Sequence, residues 1–219
     1  MQEEKHIAKY YFSTEGETEL WYLEHLAHLI NAESSATRKV SFSVKKDSPC
    51  GFIKRLAIIK ATEVFHLFDV ESTECEYEKR FTAVLDNMKA AEKTGKSVTY
   101  VPAYTNLTFE LWMILHKMDC NASVGDRKNY LAHINKAYGV HYAGLKTYKE
   151  EAHFKRILAQ ISLDDVKHAI NRAERIMQEN RLRGYKANKR HTYSWYSENP
   201  ATEVGAVVKQ ILLDCGIYV

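Results

Sequence analysis

HIAKYYFSTEGETELWYLEHL, residues 6–26, changes its hydrophobic period halfway along. Residues 6–12, rich in Ile, Tyr and Phe, read as a strand, whereas after Gly16 the residues Leu20, Leu23, Ala27 and Ile30 share one face of a helix running over about 17–32. The unit is strand, turn, helix, and Glu15 stands where the strand runs out. It recurs. KVSFSVK at 39–45 alternates polar and apolar residues, stops at Asp47, Ser48 and Pro49, and gives way to Phe52, Leu56 and Ile59 at helical spacing. The apolar run 64–68 is short and continuous, as in a strand buried on both faces; Asp69 and Glu71 follow it, then a helix with Phe81, Leu85 and Met88, closed at Gly95. SVTYVPAY at 97–104 is a fourth strand, interrupted near its end by Pro102, and leads into a helical pattern at 109–117.

This order implies an α/β fold with a mostly parallel sheet of about four strands and right-handed crossovers, so that the strand ends converge on one crevice. Glu15, Asp69 and Glu71 then become neighbours although 54 residues separate the first two. Alone, each is an ordinary helix cap or turn acid. Together they offer the oxygen ligands that a hard cation such as Mg2+ or Mn2+ requires, and such cations serve phosphoryl chemistry.

The 219 residues, 45% of them hydrophobic, suffice for one large globular domain. Beyond Met118 the pattern is helical near 126–138, 145–160, 163–183 and 201–214, while 184–200 lacks periodicity and reads as a loop. The third of these segments is the best formed, with Val166, Ala169, Ile170, Ala173, Ile176 and Met177 on one stripe and Ser162 with Asp165 as a capping box. No linker divides the chain. The expectation is a single domain, an α/β core over 1–118 and a mainly helical extension over 119–219. The net charge of +3 splits into −2 for 1–118 and +5 for 119–219, compatible with an acidic catalytic part beside a basic binding part or with ordinary solvated faces.

No stretch approaches the roughly 20 apolar residues of a membrane span, and MQEEKH lacks the basic-then-apolar order of a secretion signal, so a cytoplasmic protein is expected. Cys50, Cys75, Cys120 and Cys215 show no zinc spacing and are read as reduced. A P-loop, a His-Glu-x-x-His signature and a serine nucleophile elbow are absent.

The basic stretch RLRGYKANKRH, 181–191, holds Arg181, Arg183, Lys186, Lys189 and Arg190 with Tyr185 among them and Tyr193, Trp195 and Tyr196 following. Cations beside stackable rings suit a single-stranded or distorted nucleic acid; a solvated helix end is the other reading. Lys146 and Lys149 are further candidates for phosphate contact. His116 reads as a structural histidine, and Glu19 as an acid complementing the first helix dipole.

The segments STEGETELWYLEHL at 13–26, HLFDVES at 66–72 and TNLTFELWMILHK at 105–117 resemble the RloB-like proteins. The resemblance implies a Toprim-like fold with an added helical C-terminal part, and a metal-dependent nuclease acting on DNA or RNA in restriction-associated or antiviral defence, alone or with a partner protein. It places Glu15 at the Toprim glutamate and Asp69 and Glu71 at the acidic pair, and it raises Glu110 as a metal ligand or a support for one. Glu71 stands where Asp is usual, and Thr105, Asn106, Leu107 and Thr108 replace a more usual Ser-Asn-Pro-Cys. The alternative is a non-catalytic nucleic-acid-binding or effector subunit that retains the fold.

Overall fold

A computed structural model describes residues 5–72 and 74–218. Four parallel strands, β1 (Ile7–Thr14), β2 (Lys39–Lys46), β3 (Thr62–Asp69) and β4 (Val98–Asn106), alternate with helices α1 (Glu17–Ala32), α2 (Pro49–Arg55) and α3 (Cys75–Glu92). A short helix, α4 (Glu110–Leu115), follows β4. The remainder comprises a 3-10 turn (Arg127–Asn129), α5 (Tyr130–Tyr138), α6 (Leu145–Tyr148), α7 (Glu151–Leu158) and α8 (Leu163–Leu182), then a hairpin of β5 (Asn188–Arg190) and β6 (Tyr193–Trp195), β7 (Ala201–Thr202) and α9 (Val204–Asp214). The strand order is β2-β1-β3-β4-β7, with β7 antiparallel to β4.

The expected units are present, with three differences. The sheet has five strands, because Ala201 and Thr202 pair with Asn106 and Thr105. β4 runs straight through Pro102, whose missing N–H is harmless because β7 reaches only the far end of β4 and leaves that edge free at the proline. The expected loop at 184–200 contains the hairpin, whose inward residues Tyr193 and Trp195 are buried against Phe81 and its neighbours. Strands of three residues are too short to show a period.

Two hydrophobic clusters fill the faces of the sheet. One, centred on Phe12, Trp112 and Ile170, lies under α1, α4, α8 and α9; the other, centred on Phe68, Phe81 and Tyr104, lies under α2, α3 and the hairpin. Local signals set the boundaries: Ser48 accepts the Gly51 N–H at 3.2 Å to start α2, and Ser162 with Asp165 forms the capping box of α8. No helix among the described residues is long and apolar enough to cross a membrane.

Candidate metal and nucleic-acid site

Register brings the acids together. Thr14 lies opposite Leu67, the Glu15 N–H donates to the Leu67 carbonyl at 3.2 Å, and Asp69 closes β3 opposite Thr105. Glu15, Glu19, Asp69 and Glu71 accordingly line one cleft of about 280 Å³ at the C-terminal edge of the sheet, with Lys149 facing them. Glu15 Oε2 lies 3.5 Å from the Asp69 N–H, and Asp69 Oδ2 accepts the Phe109 N–H at 3.2 Å, tying the end of β3 to the entry of α4.

Glu19, expected as an acid complementing the helix dipole, is buried at 4% exposure, with Oε2 accepting from Thr18 Oγ1 at 2.8 Å. Gly16 permits this, since a Cβ there would lie 2.3 Å from Glu19 Oε2. Glu71 adopts a left-handed backbone with φ of 63°, a costly conformation for a residue with a side chain, held by its N–H donating to the Leu107 carbonyl at 2.8 Å.

Two cations from the C-terminal part reach into the acids. Arg127 donates to Glu71 Oε1 at 2.6 Å, and Lys149 lies 2.9 Å from Glu110 Oε1. Glu110 is 1% exposed and its Oε2 is buried without a partner among the described residues. Arg127 carried no sequence signal, because its partner is 56 residues away.

The electrostatics follow from crowding. Loss of water raises the Glu15 pKa to about 7, and Glu19 and Glu71 push it the same way. Burial holds Asp69 well above the usual aspartate value, helped by Glu19 and Glu110 and opposed by Lys149. Burial also raises Glu19 against the Thr18 hydrogen bond. For Lys149, burial favours the neutral amine, but Glu110 and Asp69 outweigh it and its pKa is raised.

The other expected residues separate into groups. Lys146 and Lys149 line a cleft of about 560 Å³ with Arg127, Lys128 and Glu110. Arg183 and Tyr185 line another, of about 720 Å³, that adjoins the acids through Glu71. Arg190 is taken up by Asp86 on α3 through two hydrogen bonds of 2.6 Å. Arg181, Lys186 and Lys189 are exposed and line none of these three clefts. Tyr193, Trp195 and Tyr196, expected as stacking platforms, are at most 9% exposed and serve the core. His116 is structural as expected: its Nδ1 contacts the Trp112 carbonyl at 2.9 Å, and burial lowers its pKa to about 4.

The oxygen-only donor set fits a hard divalent cation, as does the orphaned Glu110 oxygen beside it. Among the described residues, however, no group of three His, Cys, Asp or Glu side chains is arranged to hold an ion as it stands. Glu71 and Glu110 are turned to Arg127 and Lys149. These pairs also bear on stability: Lys149→Met should lower the stability of the metal-free protein by about 1–3 kcal/mol, because it leaves Glu110 buried without its counter-charge. The half-exposed amine places the value at the low end, and an unchanged urea midpoint would mean that solvent already screens the pair.

The fold and this centre define an α/β protein with a carboxylate cluster at the C-terminal edge of a parallel sheet. The chain matches the family described as RloB-like protein over residues 10–211, nearly its whole length, and belongs to that family. No curated protein and no solved structure matches it significantly.

Proposed function

We propose that this chain is a Toprim-like, metal-dependent phosphodiesterase acting on DNA or RNA, in restriction-associated or antiviral defence. The observation that carries the reading is the gathering of Glu15, Glu19, Asp69 and Glu71 in one cleft after β1 and β3, with Glu110 beside it. Such a concentration of like charge in a partly dehydrated cleft opposes folding unless a cation or bound protons offset it. RloB-like membership agrees with this reading.

Asp69, Glu71 and Glu15 would hold Mg2+ or Mn2+, which when bound polarises the scissile phosphate and offsets charge on the attacking and leaving oxygens. The chain's own residues do the rest. Where Asp69 and Glu71 alone hold the ion, Glu15 at the rim of the cleft, its pKa raised to about 7 by loss of water, is suited instead to take a proton from an attacking water at its carboxylate oxygen. Lys149 and Arg127 supply positive charge where a phosphate would otherwise meet only acids, and Glu110 positions Lys149. The test is cleavage of labelled single- and double-stranded DNA and RNA by purified protein. Cutting is expected with magnesium or manganese and none with EDTA. Binding without cleavage under every metal condition would favour a non-catalytic subunit, the reading that the Arg127 and Lys149 ion pairs support.

A further inference from the structure

We infer that the cleft of about 720 Å³ beside the acidic centre receives an unpaired nucleobase, guanine best of all, so that the substrate is single-stranded or looped. The inference rests on the nucleic-acid reading above and specifies the substrate of the same site. Two contiguous clefts flank the acids, and their chemistry differs. The one lined by Arg127, Lys128, Lys146 and Lys149 has a single acid, Glu110, and suits a phosphate backbone. The other shares Arg127 and Lys128 with it and adds Arg183, but Glu71, Glu74, Asp126 and Glu198 outnumber these cations. A net acidic cleft repels phosphate and accepts donors.

Its walls match a base. Tyr77 near the start of α3 and Tyr185 just after α8 are both half-buried; the Arg80 guanidinium lies over the Tyr77 ring, 5.3 Å from its centroid, which leaves Tyr185 as the ring for stacking. Glu198 lines the same cleft; its Oε2 is closed off from solvent with no partner among the described residues, so the carboxylate has an unused acceptor to offer when the side chain turns to a ligand. The wall that carries it is braced on both sides. Asn106 donates to the Tyr196 and Ser197 carbonyls at 3.1 and 2.8 Å, while Asn199 Oδ1 accepts the Val124 N–H at 2.7 Å and Ser123 Oγ at 3.0 Å. A carboxylate offers acceptors only. Guanine presents two adjacent donors, N1–H and the N2 amino group, on its pairing edge, whereas adenine and cytosine set an acceptor beside their amino group. In a duplex that edge is occupied.

The test is fluorescence anisotropy of a labelled single strand of about 12 nucleotides with one central guanine, in EDTA so that no cutting intervenes. It is compared with its duplex and with a strand carrying inosine, which lacks the N2 amino group. The single strand should bind about tenfold tighter than the duplex. Tyr185→Ala should weaken single-strand binding about tenfold, Tyr185→Phe should not, and Glu198→Gln should erase the preference for guanine over inosine. Thermal melting of each variant separates lost binding from lost fold. Equal binding of duplex and single strand, with Tyr185→Ala and Glu198→Gln both silent, would overturn the inference while leaving the nuclease reading intact. Absence of all binding would also overturn it, and metal-dependent cleavage would then decide the nuclease reading separately.

Discussion

Asp69→Asn should abolish metal-dependent cleavage, by about a thousandfold or more, in a protein that melts at or above the wild-type temperature. The loss is large because phosphodiester hydrolysis without a catalyst is extremely slow and a metal ligand acts on the charge that develops in the transition state. Asparagine keeps the shape and an oxygen that can accept the Phe109 N–H, now bonded at 3.2 Å, so the tie between β3 and α4 survives. The stability expectation has a definite sign. Folding raises the Asp69 pKa through burial and the nearby Glu19 and Glu110, so the folded state holds this proton more tightly than the unfolded state. That contribution is present at low pH and is lost as pH rises through the folded pKa, where an ionised Asp69 opposes folding. The neutral amide escapes the penalty. At pH 8 in EDTA the variant should therefore be no less stable, and a folded Asp69→Asn protein that cuts like wild type would remove Asp69 from the mechanism.

The sequence is most legible where one physical rule acts over several residues. The change of period across Glu15–Gly16 identified β1 and α1, and the parallel topology it implied placed Glu15 beside Asp69. Parts depending on long-range packing were not readable. Glu19 sits on α1 where a dipole-complementing acid would, and only the approach of Glu110 from the start of α4 and of Lys149 from the C-terminal part makes it a member of the centre. The stretch 181–196 shows the same limit. Its rings and cations lie together in sequence, yet the hairpin turns Tyr193 and Trp195 into the core, commits Arg190 to Asp86 and leaves Arg183 and Tyr185 at the cleft. Tyr77, more than 100 residues upstream, completes that wall. Asn199 and Ala201 lie far in sequence from their partners, yet one accepts the Val124 N–H and the other adds the fifth strand.

Trp112→Ala should cost about 3–5 kcal/mol of stability and take activity with it, a pattern distinct from that of Asp69→Asn. Trp112 is fully buried; its ring meets Tyr22 of α1 edge-on at 6.1 Å and His116 at 5.0 Å. The close approach of α9 depends on a residue without a side chain, since a Cβ on Gly205 would lie 3.4 Å from the Trp112 ring and 2.8 Å from the Ala173 Cβ. Truncation would leave a cavity where α1, α4 and α9 meet, and elements packed this closely collapse only partly into such a space. The consequence reaches the site because α4 has only six residues, with Glu110 at its start and the Phe109 N–H that holds Asp69 just before it. A shift of α4 by even a fraction of an ångström moves both. Urea denaturation should show a lower midpoint with an unchanged slope, and cleavage should fall even at temperatures where the variant stays folded. An unfolding free energy within about 1 kcal/mol of wild type would show that the space is refilled, and that the acidic centre does not depend on this ring for its position.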